Sequence, residues 1–197
     1  MAQAKPRADD AVSMEALIRH QLILLGEDPS REGLRRTPAR VKESLDFLTR
    51  GYRMTLDDVF GDAIFSEAYN DMIVVKDIEM YSLCEHHLLP FFGRVHIGYI
   101  PKGRLIGLSK MPRLVELYSR RLQVQERMTR QIAECLQKYL EPIGVAVVIE
   151  ADHLCMKMRG VEKQNSRVFT SCVQGIFQSD SKTRAEFMGL IKGIPNS

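Results

Sequence analysis

Apolar residues fall at Met14, Leu17, Ile18, Leu22 and Leu25, the spacing of one helical face, and Gly26 is placed to stop the run. Asp28-Pro29-Ser30 and Gly33 mark a loop. Thr37-Pro38 then reads as an N-cap followed by proline in the first turn, where its missing N–H costs nothing. Val41, Leu45 and Leu48 continue that helix to Gly51. The pattern changes near Asn70. Met72 to Met80 is rich in β-branched residues and predicts a strand, and Phe91 to Ile100 predicts a second, closed by Pro101-Lys102-Gly103. Ser109 is placed to cap a helix holding Leu114, Val115, Leu117 and Tyr118. A longer helix carries Val124, Met128, Ile132, Cys135, Leu136 and Tyr139 on one side and ends at Pro142 and Gly144. A strand from Val145 to about Met158, a polar loop, and a strand from Val168 to Phe177 follow. Thr183 with Glu186 three residues on resembles a capping box for a last helix.

Strand pairs separated by a helical pair predict an α+β fold with a mostly antiparallel, four-stranded sheet. The chain divides into a flexible polar tail over 1–12, an N-terminal helical region over 13–51, and the sheet-bearing domain over 52–197. The segment from Tyr52 to Tyr69 carries no usable motif.

Composition narrows the class without choosing a function. The chain has 197 residues, 45% hydrophobic and 27% charged, as a water-soluble globular protein does. A net charge of +3 is too mild to argue for nucleic acid but suits an anionic small molecule. No apolar run approaches the roughly 20 residues of a membrane-spanning helix. The first residues show no secretory signal, so a cytoplasmic location is expected. In that setting Cys84, Cys135, Cys155 and Cys172 are expected to serve a metal or the core, not a disulfide framework. Cys135 lies on an apolar helix face and Cys172 alternates with apolar residues in a strand, so both read as core.

Cys84-Glu85-His86-His87 sets a thiolate and an imidazole three positions apart, within reach of one metal. On the predicted strand, His153, Cys155, Lys157 and Arg159 share one face, and Leu154, Met156 and Met158 the other. Two readings compete. In one, Cys84, His87, His153 and Cys155 close a structural zinc site. In the other, three of them bind zinc and the fourth position stays open for water. The spare histidines beside Lys157 and Arg159 favour the open site, because histidine titrates near neutrality and suits acid–base work. Taken alone, His86 also fits an ordinary exposed or supporting histidine. Ser109-Lys110-Met111-Pro112-Arg113 joins a helix start to two cations, which fits an anion site or a plain solvated helix end. Gln125-Glu126 is an ordinary helical dipeptide or, through its carboxylate, a reader of a base edge. There is no Gly-x-x-x-x-Gly-Lys-Ser/Thr loop.

Four segments together resemble the GTP cyclohydrolase I family: Cys84–His87, Ile106–Lys110, Gln123–Arg127 and His153–Gly160. The resemblance runs from about Thr37 to the last helix. It implies the tunnelling fold, a barrel formed by oligomerisation, and a homodecamer of two stacked pentamers with sites between subunits. It implies one Zn2+ per subunit on Cys84, His87 and Cys155, with His86 and His153 as acid–base residues. Ser109, Lys110, Arg113 and Arg159 then bind triphosphate and ribose, Arg40 reaches in from a neighbouring subunit, and Gln125 and Glu126 recognise guanine. The implied reaction opens the imidazole ring of GTP, releases formate and rearranges the rest to 7,8-dihydroneopterin triphosphate. Neither a nucleic acid nor a membrane partner is expected, and nothing in the sequence indicates a regulatory protein.

Overall fold

The computed structural model describes residues 12–192, so the expected tail lies, but for Val12, outside the described residues. The chain forms two compact units that divide between Phe47 and Leu48. In the first, α1 (Met14–Leu24) starts at Ser13, whose hydroxyl accepts the Ala16 N–H at 3.2 Å. No residue of α1 is buried. Asp28 accepts the N–H and the hydroxyl of Ser30 in the loop that follows. α2 (Thr37–Leu48) takes Thr37 as its first helical residue instead of its cap, and buries Pro38. Among the described residues no helix is long and apolar enough to cross a membrane.

The second unit holds the sheet. A 3₁₀ turn (Arg50–Arg53) and α3 (Leu56–Phe60) occupy the segment in which the sequence showed no motif. Thr55 and Asp58 in fact make a capping box there, an Asp standing where the usual pattern has Glu or Gln. β1 (Ile64–Ser66) pairs with β4 (Arg104–Ile106) in a small antiparallel ribbon. The main sheet contains β2 (Ile73–Cys84), β3 (Pro90–Ile100), β6 (Gly144–His153) and β7 (Val168–Gly175), antiparallel in that spatial order. A fifth strand, β5 (Leu122–Gln123), adds to β2 in parallel, so the sheet is mixed and not purely four-stranded. Two residues between helices are too few for a periodicity to register.

The apolar run Val145 to Ile149 reflects burial on both faces of β6. Val145, Val147, Ile149 and Ala151 join the main core with Met128, Ile132 and Leu136 of α5 (Gln125–Leu140) and with Met111, Leu114 and Val115 of α4 (Lys110–Ser119). Ala146 and Val148 meet Phe177 and Phe187, which come from α7 (Ile176–Ser179) and α8 (Ser181–Lys192). The second layer stops short, and the same face of β6 continues as Glu150 and Asp152, both only partly buried. His153 follows on the α5 side, because successive strand side chains alternate.

Several expected boundaries move. β6 ends at His153, and Leu154–Lys157 coils into α6. Its partner β3 begins at Pro90, which has no N–H to continue the ladder. The shared strand face expected for His153, Cys155, Lys157 and Arg159 is therefore absent. β7 ends at Gly175, with φ +61°, and Ile176–Phe177 turn into α7. Ser109 occupies the N-cap position of α4 but makes no side-chain cap bond. Asp180, not a Thr183–Glu186 box, caps α8 by accepting from the Lys182 and Thr183 N–H groups.

Candidate metal centre and its neighbouring histidine

β2 and β3 are joined by a tight turn that holds the first ligand pair. The Leu88 N–H donates to Cys84 O at 2.8 Å and the Cys84 N–H to Leu89 O at 2.9 Å. Leu88 adopts φ +56°, a conformation unusual for a branched side chain, to close the turn. Cys84 is buried at the strand end, while His86 and His87 face outward. The Cys84 Sγ lies 3.7 Å from His87 Nδ1 and 3.9 Å from His86 Nδ1. α6 delivers the third donor, and one donor atom from each of Cys84, His87 and Cys155 lies within 4.8 Å of the others. Two soft thiolates and an imidazole are the donor set that zinc takes, and they can hold a metal ion. Burial and the neighbouring Cys84 push the Cys155 thiol up, so it waits for a cation before releasing its proton.

His153 is not within that donor group. Its ring stacks flat on Phe91, its cross-strand partner, with centroids 4.5 Å apart and planes at 6°. Its Nε2 lies 2.7 Å from Gln125 Oε1. The orientation of that amide follows from its surroundings: Gln125 Nε2 faces Ile149 O, Val168 O and Thr170 Oγ1 at 3.0–3.1 Å. Oε1 can only accept, so Nε2 of His153 carries the hydrogen and Nδ1 is left for another partner. Burial holds the His153 pKa below its ordinary value, against the opposing fields of Glu126 and Asp152.

The structure places the other expected residues unevenly. Arg159 is exposed and its Nη1 lies 3.2 Å from His87 Nε2, at the edge of the donor group. Glu126 is exposed at the start of α5. Gln125 is buried, and its amide is spent on the sheet and on His153. Lys157 turns back to pair with Asp152. Lys110 and Arg113 stand near the N-terminal end of α4. Arg113 lines a hollow with Ile78 and Glu79, five residues before Cys84 along β2, or roughly 16 Å at strand spacing. Arg113 is thus not brought to this chain's own donor group. Arg40 lies in the first unit, exposed on α2.

Three supporting residues were invisible along the chain. Glu85 and Arg127 form a two-pronged ion pair at 2.6 and 2.8 Å across 42 positions. Phe91 supports His153 only because strand register sets them opposite. Their one sequence signal is position: Glu85 lies between two ligands, and Arg127 two residues after Gln125.

Three soft donors that could hold a metal ion, beside a separately held imidazole, define the chain as a candidate metal-binding protein. A family model described as GTP cyclohydrolase I matches residues 14–192. The chain is 58% identical over 179 residues to GTP cyclohydrolase 1 of Leptospira biflexa, covering 91% of this chain and 98% of that one. It is 54% identical over 188 residues to that of Deinococcus radiodurans, covering 95% and 87%. It is 58% identical over 168 residues to that of Rattus norvegicus, covering 85% and 70%. The chain belongs to the GTP cyclohydrolase I family.

Proposed function

We propose that this chain hydrolyses the imidazole ring of GTP, releases formate and rearranges the remainder to 7,8-dihydroneopterin triphosphate, the first step of tetrahydrofolate and pterin biosynthesis. The observation that carries the reading is the convergence of Cys84, His87 and Cys155 within 4.8 Å, with His153 held apart from them. Cys84, His87 and Cys155 would hold a zinc ion, which would supply a Lewis acid and lower the pKa of water bound to it.

The chain's own residues do the rest. His153, stacked on Phe91 with Nε2–H committed to Gln125, offers Nδ1 to move a proton at the ring nitrogen next to carbon 8. That proton makes the carbon electrophilic. His86, exposed beside the ligand turn, assists opening of the ribose. The Glu126 carboxylate accepts from the guanine edge, and Arg159 binds phosphate. The triphosphate is a handle that positions the purine and is not cleaved. Ser109, Lys110, Arg113 and Arg40 complete its cradle from neighbouring copies. The distance of Arg113 from its own chain's ligand turn supports this sharing, and with it a barrel-forming homodecamer of two pentamers.

Replacing His153 with Ala, with bound zinc and formate release both measured, tests the assignment. Retained zinc with turnover reduced roughly 10²- to 10⁴-fold is expected for a lost acid–base group. Loss of zinc together with the fold points instead to a four-ligand structural knot. A wild-type protein that yields no fluorescent pterin from GTP sinks the reading altogether.

A further inference from the structure

A metal held by a surface turn needs that turn fixed, because metal–ligand bonds of about 2.0–2.3 Å tolerate little wandering. His86, His87 and Leu88 are all exposed, so packing does not fix them. On the side facing α5 two ties exist. The Glu85 N–H donates to Gln123 O at 3.1 Å, and the Glu85 carboxylate is clasped by both Nη groups of Arg127 at 2.6 and 2.8 Å. Glu85 lies between the ligands Cys84 and His87, so whatever orients Glu85 orients both. Arg127 stands in the first turn of α5, two residues after Gln125, and Gln125 is anchored to β6, β7 and His153. One helical turn therefore touches both halves of the site.

We propose that Arg127 is a positioning residue of the metal centre: its forked pair with Glu85 holds the Cys84–His87 turn at the spacing from Cys155 that the ion requires. The bland alternative is a partly exposed ion pair of small consequence. The two differ in what they predict for metal affinity. Outer partners of ligands typically change affinity by roughly 10- to 100-fold. A planar fork is also not replaced by the point charge of lysine.

The inference rests on zinc binding at Cys84, His87 and Cys155, so wild-type zinc content is the control. Zinc dissociation constants are measured by chelator competition for wild type, Arg127→Met, Arg127→Lys and Glu85→Gln, with thermal melts of the metal-free proteins. Arg127→Met is expected to weaken zinc about tenfold or more, Arg127→Lys less, and Glu85→Gln comparably. The Glu85→Gln, Arg127→Met double variant should fall no further than either single change. If Arg127→Met does not fold, Arg127→Lys and Glu85→Gln carry the test. Affinities within twofold of wild type in the folded variants overturn the clamp and leave the metal site standing. A wild-type protein without stoichiometric zinc removes the site itself.

Discussion

Gln125 decides which nitrogen of His153 holds the hydrogen, and it does so through groups far from it in the chain: Ile149 O, Val168 O and Thr170 Oγ1. Residue types at this site were legible from sequence, since thiolate and imidazole spacing alone marks a metal turn. Residue roles were not, because a glutamine at a helix start reads alike whether it faces solvent, a base or a histidine. His96, which drew no attention in the sequence, is the clearest case for a pH effect. It is buried, and its Nδ1 accepts the Asp77 N–H at 3.1 Å at a bulge where Asp77 adopts φ +59°. Burial keeps its pKa below the ordinary 6.5, against the pull of Asp77 and Glu150. The unfolded chain therefore takes up this proton first as pH falls. The stability tied to neutral His96 is complete above about 6.5 and is lost as pH drops from there toward the folded pKa. His96→Asn, which offers an amide oxygen to Asp77, should flatten the fall in melting temperature between about pH 7 and pH 5. An unchanged slope takes His96 out of the acid response.

At the scale of elements, the order of helices and strands was legible because the two faces of each element differ so clearly. The boundaries failed where neighbours decide. His153 to Arg159 alternates polar and apolar as a strand would, yet the ladder stops at Pro90 and the chain coils into α6. That coil brings Cys155 to Cys84. The β3–β6 pairing that sets this stop also forbids a side chain at Gly93. A Cβ there would sit 1.9 Å from Glu150 O on the facing strand. Gly93→Ala must push β3 and β6 apart next to the Phe91–His153 stack, so we expect a loss of at least about 3 kcal/mol in denaturant unfolding. A stability within about 1 kcal/mol of wild type would show that the strands separate more easily than the register implies.

For the whole molecule, Arg113 is set apart from the donor group within its own unit. Cys84, His87, Cys155, His153 and Arg159 gather at one end of the sheet, while Arg113 lines a hollow beside Ile78 and Glu79, further back along β2. A sequence cannot display such a separation, because motif order says nothing about which copy serves which site. Sedimentation analysis should give a particle of roughly ten times the 22.5 kDa chain mass. A monomer active on GTP would contradict the shared cradle.

Thr170 stands on β7, the outermost strand of the sheet, and its hydroxyl bridges Gln125 Nε2 at 3.0 Å and Thr129 Oγ1 at 2.7 Å. The edge of the sheet is thus two hydrogen bonds from the imidazole. A strand added along that edge would steady Thr170, then Gln125, then the ring on Phe91. Dilution would become a chemical variable: copies that come apart would lose the orientation of a proton before they lose their fold.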